Sequence, residues 1–167
     1  MTSKADFTPE EWELLREAPS TAGMIVITAD RGGQFRESIA MAKAYVEARK
    51  EHGDSQLLDE VVAAGPKVDH ERFKSPEERK EYGLGQLNEA AGLLASKASS
   101  QELDEYRAFV NGLSRRAAAA TKSGIFRRAK KQISDAEQGA MDDIAYALDS
   151  GGRWSSFESS KADSGTE

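Results

Sequence analysis

Apolar residues return every third or fourth position over most of the chain, the spacing that lays them along one face of an α-helix. Trp12, Leu14 and Leu15 mark a first helix from about Pro9 to Ala18, with Phe7 set to staple against Trp12. Pro19 then restarts the chain into Ser20 to Ala29, where Ala22, Met24, Ile25, Val26 and Ile27 surround every side. A segment apolar all round is a central helix or a buried strand. Ile25-Val26-Ile27-Thr28 has local strand propensity, yet no second convincing strand exists to pair with it, so the expectation is helix.

Phe35, Ile39, Ala42 and Val46 predict a helix over about 34–51, and Leu57, Leu58, Val61 and Val62 a shorter one, capped by Asp54 and ended by Gly65-Pro66. Leu87, Ala91 and Leu94 continue a segment opened at Ser75, either as one helix or as two parted at Gly83-Leu84-Gly85. Leu103, Tyr106, Val110, Leu113 and Ala117 give the best-specified helix, to about Thr121. Ala140, Met141, Ile144, Ala145 and Leu148 line the last.

Helix starts are marked independently. Thr8-Pro9-Glu10-Glu11, Ser75-Pro76-Glu77-Glu78, Ser99-Ser100-Gln101-Glu102 and Ser134-Asp135-Ala136-Glu137 each read as a capping box. In such a box the hydroxyl accepts from the N3 amide and the Glu carboxylate accepts from the cap amide. Two carry Pro at the first helical position, where a missing donor costs nothing. The reading is an all-α, single-domain bundle of six to seven helices over residues 9–149. A flexible lead-in covers 1–8, and 150–167, rich in Ser, Gly and charge, is a mobile tail whose anchors are Trp154 and Phe157.

With 167 residues and no Cys, the chain is long enough for one self-sufficient core, and disulfides, thiolate–zinc sites and cysteine nucleophiles are excluded. Its longest mainly apolar stretch, Ala22 to Ala29, is far short of the roughly 20 residues of a membrane span, and no secretory signal pattern opens the chain. A cytoplasmic location is expected. Catalytic patterns are missing as well. His52 and His70 follow Arg49 and Lys67 where a di-iron bundle has Glu, and Asn88 stands where a dinucleotide loop opened by Gly83-Leu84-Gly85 would need a small residue. There is no phosphate-binding Gly-x-x-x-x-Gly-Lys loop and no Gly-x-Ser-x-Gly elbow. A Glu/Arg enzyme stays open, with no substrate nominated.

The net charge of −6 is unevenly spread: residues 106–134 hold 8 Lys/Arg and no Asp/Glu. Arg115, Arg116, Lys122, Arg127, Arg128, Lys130 and Lys131, with Arg107, form a block that either binds an anionic partner or closes on acidic surfaces such as Glu10, Glu11, Glu13 and Glu17. Net acidity and few aromatics stand against nucleic acid as that partner. Oxygen ligands for Ca²⁺ or Mg²⁺ are offered by Asp30 and Glu37, across the turn before the third helix, and by Glu137; with no Asp-x-Asp-x-Asp-Gly loop in the chain, capping and a solvated helix face are the plainer account of those carboxylates.

Ala22 to Glu37, a buried helix ending in Ala29-Asp30 with Gly32 and then a Glu, and Ile133 to Leu148, an Ile-Ser-x-x-Glu start before an apolar-spaced helix, resemble the TerB-like helical domains of tellurite resistance. The likeness covers 32 of 167 residues. It implies an all-α bundle, a bacterial stress-response setting, and cation binding at a helix junction, with Asp30, Glu37, Ser134 and Glu137 as the matching positions. Together these readings give a non-enzymatic, cofactor-free interaction module with a basic face for an anionic ligand or protein partner; the alternative is a carboxylate-based divalent-cation domain. The heptad-like run from Leu103 leaves homo-oligomers open.

Overall fold

A computed structural model describes residues 1–29, 41–43, 45–46, 55–67, 72–121 and 133–162; within these, side chains are not described at 120–121 or beyond 152. Among them every regular element is helical and none is a strand: a 3₁₀ turn at Lys4–Asp6, α1 (Pro9–Ala29), α2 (Gln56–Ala64), α3 (Pro76–Lys97), α4 (Ser100–Thr121) and α5 (Asp135–Ala162). Residues 41–43 and 45–46 are helical too. The all-α bundle expected from spacing is the fold. No helix among the described residues is long and apolar enough to cross a membrane.

The end of α1 is the centre of the bundle. Ala22, Ile25, Val26 and Ile27 are at most 2% exposed, enclosed by α3, α4 and α5. Leu87 and Leu94 of α3, Val110 and Leu113 of α4, and Ile144 and Leu148 of α5 are fully buried around it. Each such side chain is worth about 1.5–3 kcal/mol over the exposed state, so packing carries these helices.

Caps follow the sequence closely. Thr8 with Glu11, Ser99 with Glu102, and Ser134 with Glu137 form reciprocal boxes. At Ser75 the hydroxyl accepts from the Glu78 amide, while the Glu78 carboxylate accepts from the Lys74 amide, one residue earlier than expected. The cap of α2 is Ser55, whose hydroxyl accepts from the Leu58 amide, and not Asp54, which lies outside the described residues. Gly65 ends α2 at φ 73°, a positive φ that glycine adopts without strain.

Three expectations are corrected, and the open alternative at Gly83-Leu84-Gly85 is decided. Pro19 does not restart the chain: α1 runs through it. Pro19 lacks the amide that would donate to the Leu15 carbonyl, and the buried Tyr106 hydroxyl of α4 donates to that oxygen instead, at 2.9 Å. Gly83-Leu84-Gly85 does not divide α3, because Gly83 is buried where Thr21 and Ile25 leave no room for a Cβ. In the third predicted helix the buried positions are Met41 and Tyr45, while Ala42 and Val46 are exposed; Tyr45 meets Phe109 edge-on at 5.8 Å, and Phe35 and Ile39 lie outside the described residues. At the far end α5 continues past Ser150 to Ala162, since Gly151 and Gly152 are buried against α3 and α4. The side chains of Trp154 and Phe157 lie outside the described set.

The lead-in is held rather than loose. The Thr2 amide and hydroxyl donate to the Glu102 carboxylate at 2.7 and 2.9 Å, the Ser3 amide and hydroxyl donate to Asp6 Oδ2 at 2.8 and 3.1 Å, and Phe7 is buried with its ring 6.4 Å from Trp12.

Candidate binding groove between α1 and α3

The first half of α1 and the middle of α3, distant in sequence, form the two walls of a groove of about 800 Å³. From α1 come Pro9, Glu10, Glu11, Glu13, Leu14 and Glu17; from α3 come Glu81, Tyr82, Gly85, Gln86 and Glu89. The spacing puts these residues on one face of each helix, because positions 9, 13 and 17, and 81, 85 and 89, are steps of four. Six carboxylates thus surround a lining to which Pro9, Leu14, the Tyr82 ring and the bare backbone at Gly85 contribute apolar surface.

One end is fastened by a polar network. Glu17 accepts from Arg72 Nη1 at 2.9 Å and from Gln86 Nε2 at 3.1 Å, and the same Gln86 nitrogen donates to Tyr82 Oη at 3.1 Å. Arg72 also donates to Tyr82 Oη, and its guanidinium stands 4.4 Å from the centre of that ring. Thr21 Oγ1 donates to Gln86 Oε1 at 3.2 Å, which ties the buried amide back to α1. These bonds fix the separation of the walls.

Other carboxylates hold cations of the chain itself. Glu11 receives Lys97 Nζ at 2.6 Å, and Glu13 receives Lys67 Nζ at 2.9 Å with Arg16 at 3.3 Å. The bond from Lys97 holds the Glu11 carboxyl below the ordinary carboxylate range, and the bond from Lys67 does the same at Glu13. Glu10, Glu81 and Glu89 make no ion pair among the described residues. The groove is therefore a fixed array of negative charge over an apolar lining, which suits a cation carried on an alkyl or aromatic stem.

Of the candidate site residues chosen from sequence, Arg115, Arg116 and Glu137 are described, and none of them lines this groove. Arg115 is exposed on α4, in a depression of about 180 Å³ lined also by Asn111, Ile133, Met141 and Asp142. Arg116 is half-buried. Arg107 is spent on joining α4 to α5, bonding Asp104 at 3.2 Å and the Leu148 carbonyl at 3.3 Å, with Asp149 at 3.9 Å. Lys122, Arg127, Arg128, Lys130, Lys131, Asp30, Glu37, His52 and His70 lie outside the described residues. Glu137 is fully buried, and its Oε2 accepts from the Ser134 amide at 2.8 Å and hydroxyl at 3.1 Å, so this carboxylate is engaged in capping. No three His, Asp or Glu converge for a metal ion among the described residues.

The acidic face of α1, one of the two alternatives offered for the basic block, is met by Lys67, Arg72 and Lys97 among the described residues. Glu10, Glu13 and Glu17 could have been read as one helix face, but no sequence signal pairs that face with Glu81 and Glu89. Compared with protein-family models, curated proteins and solved structures, the chain matches none.

Proposed function

We propose that the chain is a non-enzymatic interaction module, working in the cytosol, whose α1/α3 groove receives a cationic partner. The observation that carries this reading is the concavity itself, with Glu10, Glu81 and Glu89 free of ion pairs among the described residues beside Leu14 and Tyr82. A low-dielectric cleft lined by one sign of charge focuses its field and concentrates ligands of the opposite sign. Titration with poly-L-lysine at low ionic strength tests it. Binding should be lost in the triple variant Glu10→Gln, Glu81→Gln, Glu89→Gln and should weaken as salt is raised. Affinity that survives the triple variant sinks the proposal.

A second reading keeps the anionic partner. It is favoured by Arg115, exposed and without an ion pair among the described residues, in a depression that Ile133, Met141 and the carboxylate Asp142 also line. Poly-L-glutamate or anionic vesicles in the same titration report on it, and Arg115→Gln should abolish that binding. If neither anion binds, this reading is withdrawn.

A further inference from the structure

Resting on the cationic-groove reading, we infer that the occupant is a basic amphipathic helix of a protein partner, seated between α1 and α3 as a third helix. Both walls are helices, and both present their groove residues at steps of four. Rows of that spacing are the ridges between which another helix packs, so the groove has the form of a helix seat. The residues 9–17 and 81–89 each span about 12 Å along their axes, which accommodates about two turns of an occupant. Gly85 stands mid-row on α3, and a Cβ placed there meets nothing within 4 Å, so an incoming helix can approach the α3 backbone closely.

The charge of the seat sets the occupant's pattern. Leu14 and Tyr82 would meet apolar residues at positions i and i+3 or i+4, while Glu10, Glu81 and Glu89 would meet Lys or Arg on either flank. The protein's own cations already show how these walls take basic side chains: Lys97 on Glu11, Lys67 on Glu13, and Arg72 on Glu17 with its guanidinium over Tyr82. A single divalent ion is the poorer match, because no three carboxylates converge among the described residues.

Two fluorescent Leu/Lys peptides of identical composition and about 14 residues test this, one with leucines at helical spacing and one scrambled to remove the period. The patterned peptide should bind about tenfold tighter by anisotropy at low ionic strength and gain helical circular dichroism in the complex. Gly85→Leu fills the seat at a position with open space. It should keep cooperative thermal unfolding, with a midpoint no lower than that of the parent, and erase the preference for the patterned peptide. If both peptides bind alike, the groove remains a cation site and the helical occupant is overturned; if neither binds, both readings fall. A preference that survives Gly85→Leu also overturns the seat.

Discussion

Gly151 of α5 lies against the backbone carbonyl of Asn88 on α3, so close that a Cβ at position 151 would occupy the space of that oxygen. It would also stand 3.1 Å from the Ala91 Cβ, and a Cβ at Gly92 opposite would stand 3.4 Å from the Gly151 carbonyl. Among the described residues α3 and α5 share the most extensive helix–helix interface, and at both glycines the two backbones approach closely. Asn88 Nδ2 donates to the Ala147 carbonyl at 3.2 Å just beside the crossing.

Gly151→Ala should therefore destabilise the fold by about 2–3 kcal/mol, because the atom it meets is backbone and cannot turn aside. Gly85→Ala, with open space around its Cβ, should instead stabilise by up to about 1 kcal/mol through helix propensity. Urea unfolding of the two variants separates the cases. Equal effects would show that the α3/α5 crossing yields more readily than its geometry implies.

Tyr106 supplies the donor that Pro19 lacks, and a double-mutant cycle measures it. Tyr106→Phe removes one hydrogen bond to the buried Leu15 carbonyl and should cost about 1–2 kcal/mol. In a Pro19→Ala background the restored amide can serve that oxygen, so the cost of Tyr106→Phe should fall by more than half. An unchanged cost would mean that the hydroxyl acts independently of the proline.

Glu102 should make stability sensitive to acid. Burial of its carboxyl would raise the pKa, but donors from the Ser99 amide, the Thr2 amide and both hydroxyls outweigh that and bring it to about 2, from an ordinary value of 4.5. A carboxyl depressed in the folded state contributes stability that is complete above its unfolded pKa and is lost as pH falls through the folded one. The contribution, about 3 kcal/mol, should thus be present above pH 5 and disappear between about pH 4.5 and 2. Unfolding midpoints measured across that window should flatten in Glu102→Gln. A parallel slope in the variant would assign the acid sensitivity to other carboxylates.

Local chemistry was legible in the sequence and tertiary exceptions were not. A capping box is a bargain among four consecutive residues, so Thr8, Ser99 and Ser134 could be placed without knowing what surrounds them. Pro19, Gly83 and the pair Gly151-Gly152 carry the local signature of a break, yet each lies inside a helix because a distant residue changes the balance: Tyr106 at Pro19, Ile25 at Gly83, Asn88 at Gly151. The groove was hidden for a related reason. Its two walls are separated in sequence, and only the α1/α3 contact sets Glu10 beside Glu81 and Glu89 in one concavity. The basic block drew attention because its charge is contiguous in sequence.

If the groove serves binding, its carboxylates should work slightly against folding. Glu10, Glu81 and Glu89 share the concavity with three further glutamates, and like charges gathered in one cleft repel. Replacing Glu81 and Glu89 by Gln should raise the melting midpoint at low ionic strength by about 1–2 °C while weakening cationic ligands. The gain should vanish near 1 M salt, where the screening length is about 3 Å. Glu17→Gln is the control in the same groove: its carboxylate holds Arg72 and Gln86, so the midpoint should fall instead. Should Glu81→Gln with Glu89→Gln also lower the midpoint, those carboxylates support the fold, and the groove loses its claim to charge held in reserve for a partner.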